Sequence, residues 1–113
     1  LTRVVKARRT GKPVKVKLDK HSLEFHPLAL KEWRQLDRTV QLQFKTQLRK
    51  RLAQPHVPSA RLHGELKNTY KIKLQRLGYR LVYEVIEKRL VVYVIAIGKR
   101  SLDAAYTKAS DRV

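Results

Sequence analysis

The chain contains no cysteine. That excludes a disulfide framework, thiolate metal ligands and a cysteine nucleophile, and it fits a reducing compartment. Acidic residues are scarce: nine Asp and Glu stand against 27 Lys and Arg, for a formal net charge of +18 over 113 residues and a pI near 10.8. The carboxylates Glu65, Glu84 and Glu87 are scattered, and no DxD or HExxH arrangement exists, so no metal site is expected. A glycine-rich phosphate loop is missing. So is any apolar run of the roughly 18 residues that a membrane span requires, and no signal-peptide pattern opens the chain. A cytoplasmic protein with no membrane contact and no small-molecule cofactor is the expectation.

What the chain does have is cationic charge on a foldable background. Its hydrophobic fraction of 42% is ordinary, so this is a folded basic protein rather than a disordered basic tail. Such charge destabilises the compact state by self-repulsion and attracts polyanions over long range. Residues 1–22 hold eight Lys and Arg with the single acid Asp19, net +7, and the remainder keeps +11. The basic character therefore belongs to the whole chain. We divide it into a basic extension of unknown role, 1–22, and a domain, 23–113. The extension reads as an arm, as sequence appended for expression, or as a short hairpin turning at Thr10-Gly11-Lys12-Pro13.

From Leu23 the pattern sharpens. Leu23-Glu24-Phe25 is a strand candidate. Pro27 suits a first helical position, and Ala29 or Leu30, Trp33 and Leu36 recur at helical spacing over 27–36. Asp37 can cap a second helix, 38–53, with Val40, Phe44, Leu48 and Leu52 as its core stripe and Arg38, Lys45 and Arg49 on another face. Residues 69–74 alternate, Tyr70, Ile72 and Leu74 against Lys71 and Lys73. Gln75 to Gly78 forms a hairpin turn with Gly free to take positive φ. Strands 79–86 and 89–97 join at Glu87-Lys88, and the second is apolar on both faces, hence central. Ser101 can cap a last helix, with Asp103 in its first turn. The fold class that follows is α+β: one small domain, a helix pair packed on a four-stranded sheet, with a short C-terminal helix.

Lys71 and Lys73 share one strand face, about 6 to 7 Å apart. Arg80 opens the adjacent strand, and Lys99 and Arg100 lie where the central strand exits. Like charges side by side repel, so cations gathered on regular strands suggest an anionic partner, which we read as RNA. Cations around one concavity would hold a phosphate and stabilise added negative charge on it. Crowded like charges also favour a neutral amine, the form a general base needs. Tyr106 can stack on a base. The plain alternative is a solvated strand face. His56 and His63 fall in or near a loop with no spacing that ties them together, the pattern of ordinary surface histidines. Trp33 and Phe44 read as core.

Four blocks, Leu28-Ala29-Leu30-Lys31-Glu32-Trp33, Tyr70-Lys71-Ile72-Lys73-Leu74, Gly78-Tyr79-Arg80-Leu81-Val82-Tyr83 and Gly98-Lys99-Arg100, occur in the order and near-spacing of the RelE toxins of bacterial toxin–antitoxin pairs. The chain resembles that family from Leu23 to Val113. The resemblance implies two helices on an antiparallel four-stranded sheet, and an endoribonuclease that cuts mRNA in the ribosomal A site. It implies Lys71 and Lys73 as the strand lysines, with Lys73 the favoured base toward the ribose 2′-OH. Arg80 then holds the phosphate, Arg100 supports the leaving group and Tyr106 orients the base. Lys99, His63, Lys45 and Arg49 are expected to contact RNA. His63 stands where the family often has Arg, and Lys99-Arg100-Ser101-Leu102 where it often reads Lys-Arg-Glu-Arg. The implied partners are a RelB-like antitoxin, the ribosome and mRNA. Two other readings remain open: a non-catalytic RNA- or ribosome-binding module, and a gyrase-targeting toxin of the same fold.

Overall fold

A computed structural model of the chain describes residues 3–6, 13–16, 21–62, 68–99 and 104–112, the first two stretches by backbone alone. Strands β1 (Arg3–Lys6) and β2 (Pro13–Val16) pair antiparallel as a sheet of their own. Strand β3 (Ser22–Phe25) comes next, followed by helices α1 (Pro27–Arg34) and α2 (Arg38–Ala53). A single 3₁₀ turn, Pro58–Ala60, leads toward β4 (Thr69–Leu74), β5 (Tyr79–Ile86), β6 (Val91–Lys99) and helix α3 (Ala104–Arg112).

The four-stranded sheet has the order β3-β6-β5-β4. Its β4–β5 and β5–β6 pairs are antiparallel, but β3 runs parallel to β6, which corrects the wholly antiparallel expectation. The reason is topological. The chain leaves β3 into the helix pair, crosses one face to the far edge, and returns through the β4–β5–β6 meander, so its last strand lies beside the first in the same direction. The join before β6 also differs from expectation. It runs through residue 90, where Leu90 sits at φ 52, and the strand starts at Val91 rather than 89. A left-handed residue cannot continue a ladder.

Helices α1 and α2 bury Ala29, Val40, Phe44 and Leu48 against one face of the sheet, where Ile72, Leu81 and Tyr83 meet them. His26 caps α1, its Nδ1 accepting from the Leu28 amide at 3.1 Å. Asp37 holds the N-cap position of α2 but makes no side-chain cap bond there. Helix α3 covers the opposite face, its Ala105 and Ala109 packed on Val82, Ile95 and Ala96. A bulge makes this possible. Between the pairs Val82↔Ala96 and Tyr83↔Val94, β6 carries Ile95 as an extra residue. Val92 and Val94 therefore face the helix pair, while Ile95 and Ala96 both face α3. A strand buried on both sides needs that doubly apolar sequence.

Strand β3 accompanies β6 only as far as Val94. Beyond it, the open β6 edge is satisfied by side chains, as buried backbone groups require. Arg112 donates to the Ile95 carbonyl at 2.9 Å, Lys108 to the Ile97 carbonyl at 3.1 Å, and the Ile97 amide to Glu32 Oε1 at 3.1 Å. Arg112 also forks onto both Glu32 oxygens at 2.9 Å. Glu32 thus ties α1, β6 and α3 together. Burial alone would raise its pKa, but the bonds from Arg112, Lys108 and the Ile97 amide outweigh it and hold the carboxyl below its ordinary value. A depressed carboxylate stabilises the fold above its unfolded value and ceases to as pH falls through the folded one. Glu32→Gln should therefore lower stability by about 2 kcal/mol at neutral pH. In urea unfolding across a pH series, that gap should close on the acid side of the ordinary carboxylate range. A gap that stays constant into acid would contradict this role.

Candidate active site

The β4–β5 hairpin sets the first contact. Its turn, with Gly78 at φ 73 and the Gly78 amide on the Leu74 carbonyl at 2.8 Å, fixes the register so that Lys73 lies directly opposite Arg80. Lys71, two residues back on the same face, lies opposite Val82. Since Val82 packs under α3, these cations share the α3 side of the sheet. The buried partners Tyr70, Ile72 and Leu74 point the other way, into the helix-pair core.

Helix α3 completes the face. On its β6 side Arg80 pairs with Gly98, which has no side chain to hold the helix off. A Cβ there would lie 2.7 Å from the Ala105 amide nitrogen and 2.8 Å from Ala104 Cβ. The close approach carries Tyr106 over Arg80, whose guanidinium carbon sits 4.8 Å from the ring centroid. Such a cation–π contact offsets part of the repulsion from Lys73 and orients the planar fork. Gly98→Ala should push α3 outward and cost about 1–3 kcal/mol, because its clashes are with backbone and a Cβ rather than a flexible tip. An unchanged urea midpoint would show that α3 does not depend on this glycine.

Among the described residues, a carboxylate of β5 shares the face. Glu84 stands four residues along β5 from Arg80, about 13 Å away. Burial raises its pKa. At that distance it is no partner for Arg80.

Lys71, Lys73, Arg80 and Tyr106 are thus gathered on one side of the sheet. Other candidates are not. Lys99 pairs with Tyr79 on the helix-pair side, because the bulge at Ile95 reverses the alternation of everything after it. Lys45 and Arg49 rim a groove of about 290 Å³ with Leu23, Phe25 and Trp33, in the helix layer beside β3, at the edge of the sheet remote from β4. Arg100 and His63, and the cap and first turn expected at Ser101 and Asp103, lie outside the described residues. His56 has structural work instead. Its Nδ1 meets the Tyr70 hydroxyl at 2.7 Å and its Nε2 meets Glu87 at 2.7 Å, while His21 reaches the same Glu87 oxygen at 3.2 Å. Hydrogen bonds from His56 and His21 hold the Glu87 carboxyl below its usual value.

Residues 23–104 match the profile of the family described as ParE toxin of type II toxin–antitoxin system, parDE. The chain is 45% identical over 91 residues to the mRNA interferase toxin RelE of Escherichia coli K12, covering 80% of this chain and 95% of that protein. Among solved structures, an arginine-to-alanine double mutant of E. coli RelE in the free state superposes with TM-score 0.76 at 42% identity, covering 83% of this chain and 98% of that one. The toxin of the intact E. coli RelBE toxin–antitoxin complex matches with TM-score 0.68 at 47% identity, over 70% of this chain and 95% of that one.

Proposed function

Because the chain belongs to the family of type II toxins that includes RelE and ParE, we propose that it is an mRNA interferase acting on the ribosome. The observation that carries this reading is the direct cross-strand pairing of Lys73 with Arg80 beneath Tyr106. A cation pair on regular strands costs stability; giving up the Lys73 proton relieves it and leaves an amine that can act as base, beside an Arg80 that can hold the phosphodiester anion.

The proposed reaction is attack of a ribose 2′-OH on the adjacent phosphorus. Neutral Lys73 accepts the 2′-OH proton as the O2′–P bond forms. Arg80 holds the non-bridging oxygens as negative charge gathers on them, and Lys71 adds to the same field. The P–O5′ bond then breaks and the departing O5′ takes a proton from water, leaving a 2′,3′-cyclic phosphate on one fragment and a 5′-OH on the other. Arg100 supports the departing oxygen in the role the resemblance assigns it. Tyr106 has the ring to stack on the mRNA base. Among the described residues no histidine pair stands on this face, so the site is weak by itself and relies on the ribosome to align the 2′-OH in line with the phosphorus. The partners are the ribosome, mRNA and a RelB-like antitoxin that neutralises the toxin, as RelB accompanies RelE in the solved complex. It works where translating ribosomes are, in the cytoplasm. No described helix is long and apolar enough to cross a membrane.

Primer extension on mRNA held by translating ribosomes tests this directly. New 5′ ends should appear within the A-site codon and stay absent on naked RNA. A non-catalytic binder would stall ribosomes without new ends, and a gyrase-targeting toxin would induce DNA damage while leaving mRNA whole.

A further inference from the structure

Round the β4 edge from the cutting face, on the helix-pair side of the sheet, lies a groove that neither the family match nor the sequence pattern points to. It has a volume of about 510 Å³ and lies between α2 and the tip of the β4–β5 hairpin. Its α2 wall presents Gln43 and Gln47, one turn apart on the same side of the helix. Its hairpin wall presents Gln75, Arg76 and Leu77. Lys73 belongs to both places, lining the groove as well as standing opposite Arg80.

The lining is selective in kind. Among the described residues, three neutral amides, two cations, the buried Leu74 and an exposed leucine line it, and no carboxylate does. A glutamine amide offers donors and an acceptor together, the complement that the edge of a nucleobase presents. Arg76 supplies charge for a phosphate, and Leu77, 38% exposed, offers an apolar surface for the face of a base. The volume falls in the range of small-ligand clefts. An acidic peptide would use the cations but leave the amides without purpose.

We propose that this groove is a nucleotide subsite, in which Gln43, Gln47 and Gln75 read the base next to the cleaved phosphodiester and so set the sequence preference of cutting. The proposal rests on the ribonuclease reading above. Gln43 is exposed and Gln47 half-buried, so alanine at either leaves the core intact.

The test uses the full chain on translating ribosomes programmed with mRNAs that differ only in the bases flanking the cut. Single-turnover rates are compared for wild type, Gln43→Ala/Gln47→Ala and Arg76→Ala. Wild type should prefer one base at a flanking position, and the double variant should flatten that preference by about tenfold while its summed rate falls less. Arg76→Ala should slow all contexts alike, since a phosphate contact carries no base information. A preference left intact in the double variant, an equal loss in every context, or no preference in wild type would overturn the subsite. No cleavage by wild type would instead overturn the ribonuclease reading itself.

Discussion

Arg80→Ala is expected to slow single-turnover cleavage of ribosome-bound mRNA by about 10²–10³-fold, the usual loss when one donor to a developing oxyanion is removed. The folded state should be little affected. Arg80 sits opposite Lys73, and removing it relieves a like-charge pair at the same time as it gives up the contact with Tyr106. Arg80→Lys should fall between, keeping a charge but not the planar fork that fits a phosphate. A loss of only a few fold, in a variant that unfolds at the wild-type urea concentration, would mean that the guanidinium does not touch the reacting phosphate.

Lys73→Ala should cost about 10²–10⁴-fold, the range for removing a positioned general base. The informative companion is Lys73→Arg. Arginine keeps the positive charge but cannot give up its proton in a protein. If Lys73 takes the 2′-OH proton, the arginine variant is as inactive as alanine; if Lys73 only attracts the phosphate, arginine restores most of the rate. Lys73 is exposed, so neither change should unfold the domain. Rescue by arginine would move the base role away from Lys73 and leave it an electrostatic one.

Much of the fold is legible in the chain, because one period usually reports one buried face. Val40, Phe44 and Leu48 recur at helical spacing and all three are buried; Tyr70, Ile72 and Leu74 alternate with two lysines and point to the core. What escapes the sequence is set by geometry between elements. The parallel β3–β6 pair follows from where the helix crossover lands, which no local pattern encodes. The Ile95 bulge hides inside a continuous apolar run, and by reversing the alternation it sends Lys99 to one side and Gly98 to the other. The helical face that groups Lys45 with Arg49 gives their angle around α2 but not the layer in which α2 lies.

The candidate site divides the same way. Lys71 and Lys73 share a face by strand alternation alone. That Arg80 lands opposite Lys73 depends on the number of residues in the Gln75–Gly78 turn, and Tyr106 reaches Arg80 only because Gly98 lets α3 down onto the sheet. The glutamines of the groove carried no signal at all. Glutamine on an exposed helical face is ordinary until a hairpin is found beside it.

Whether two of these cations serve one reacting group is best measured by a double-mutant cycle on the ribosome: single-turnover cleavage by wild type, Lys73→Ala, Arg80→Ala and the double variant. Side chains that act together on a single phosphorus lose their effects together, so the double variant should be scarcely slower than the worse single one. Losses that simply multiply would show the two groups working apart, and would contradict the account.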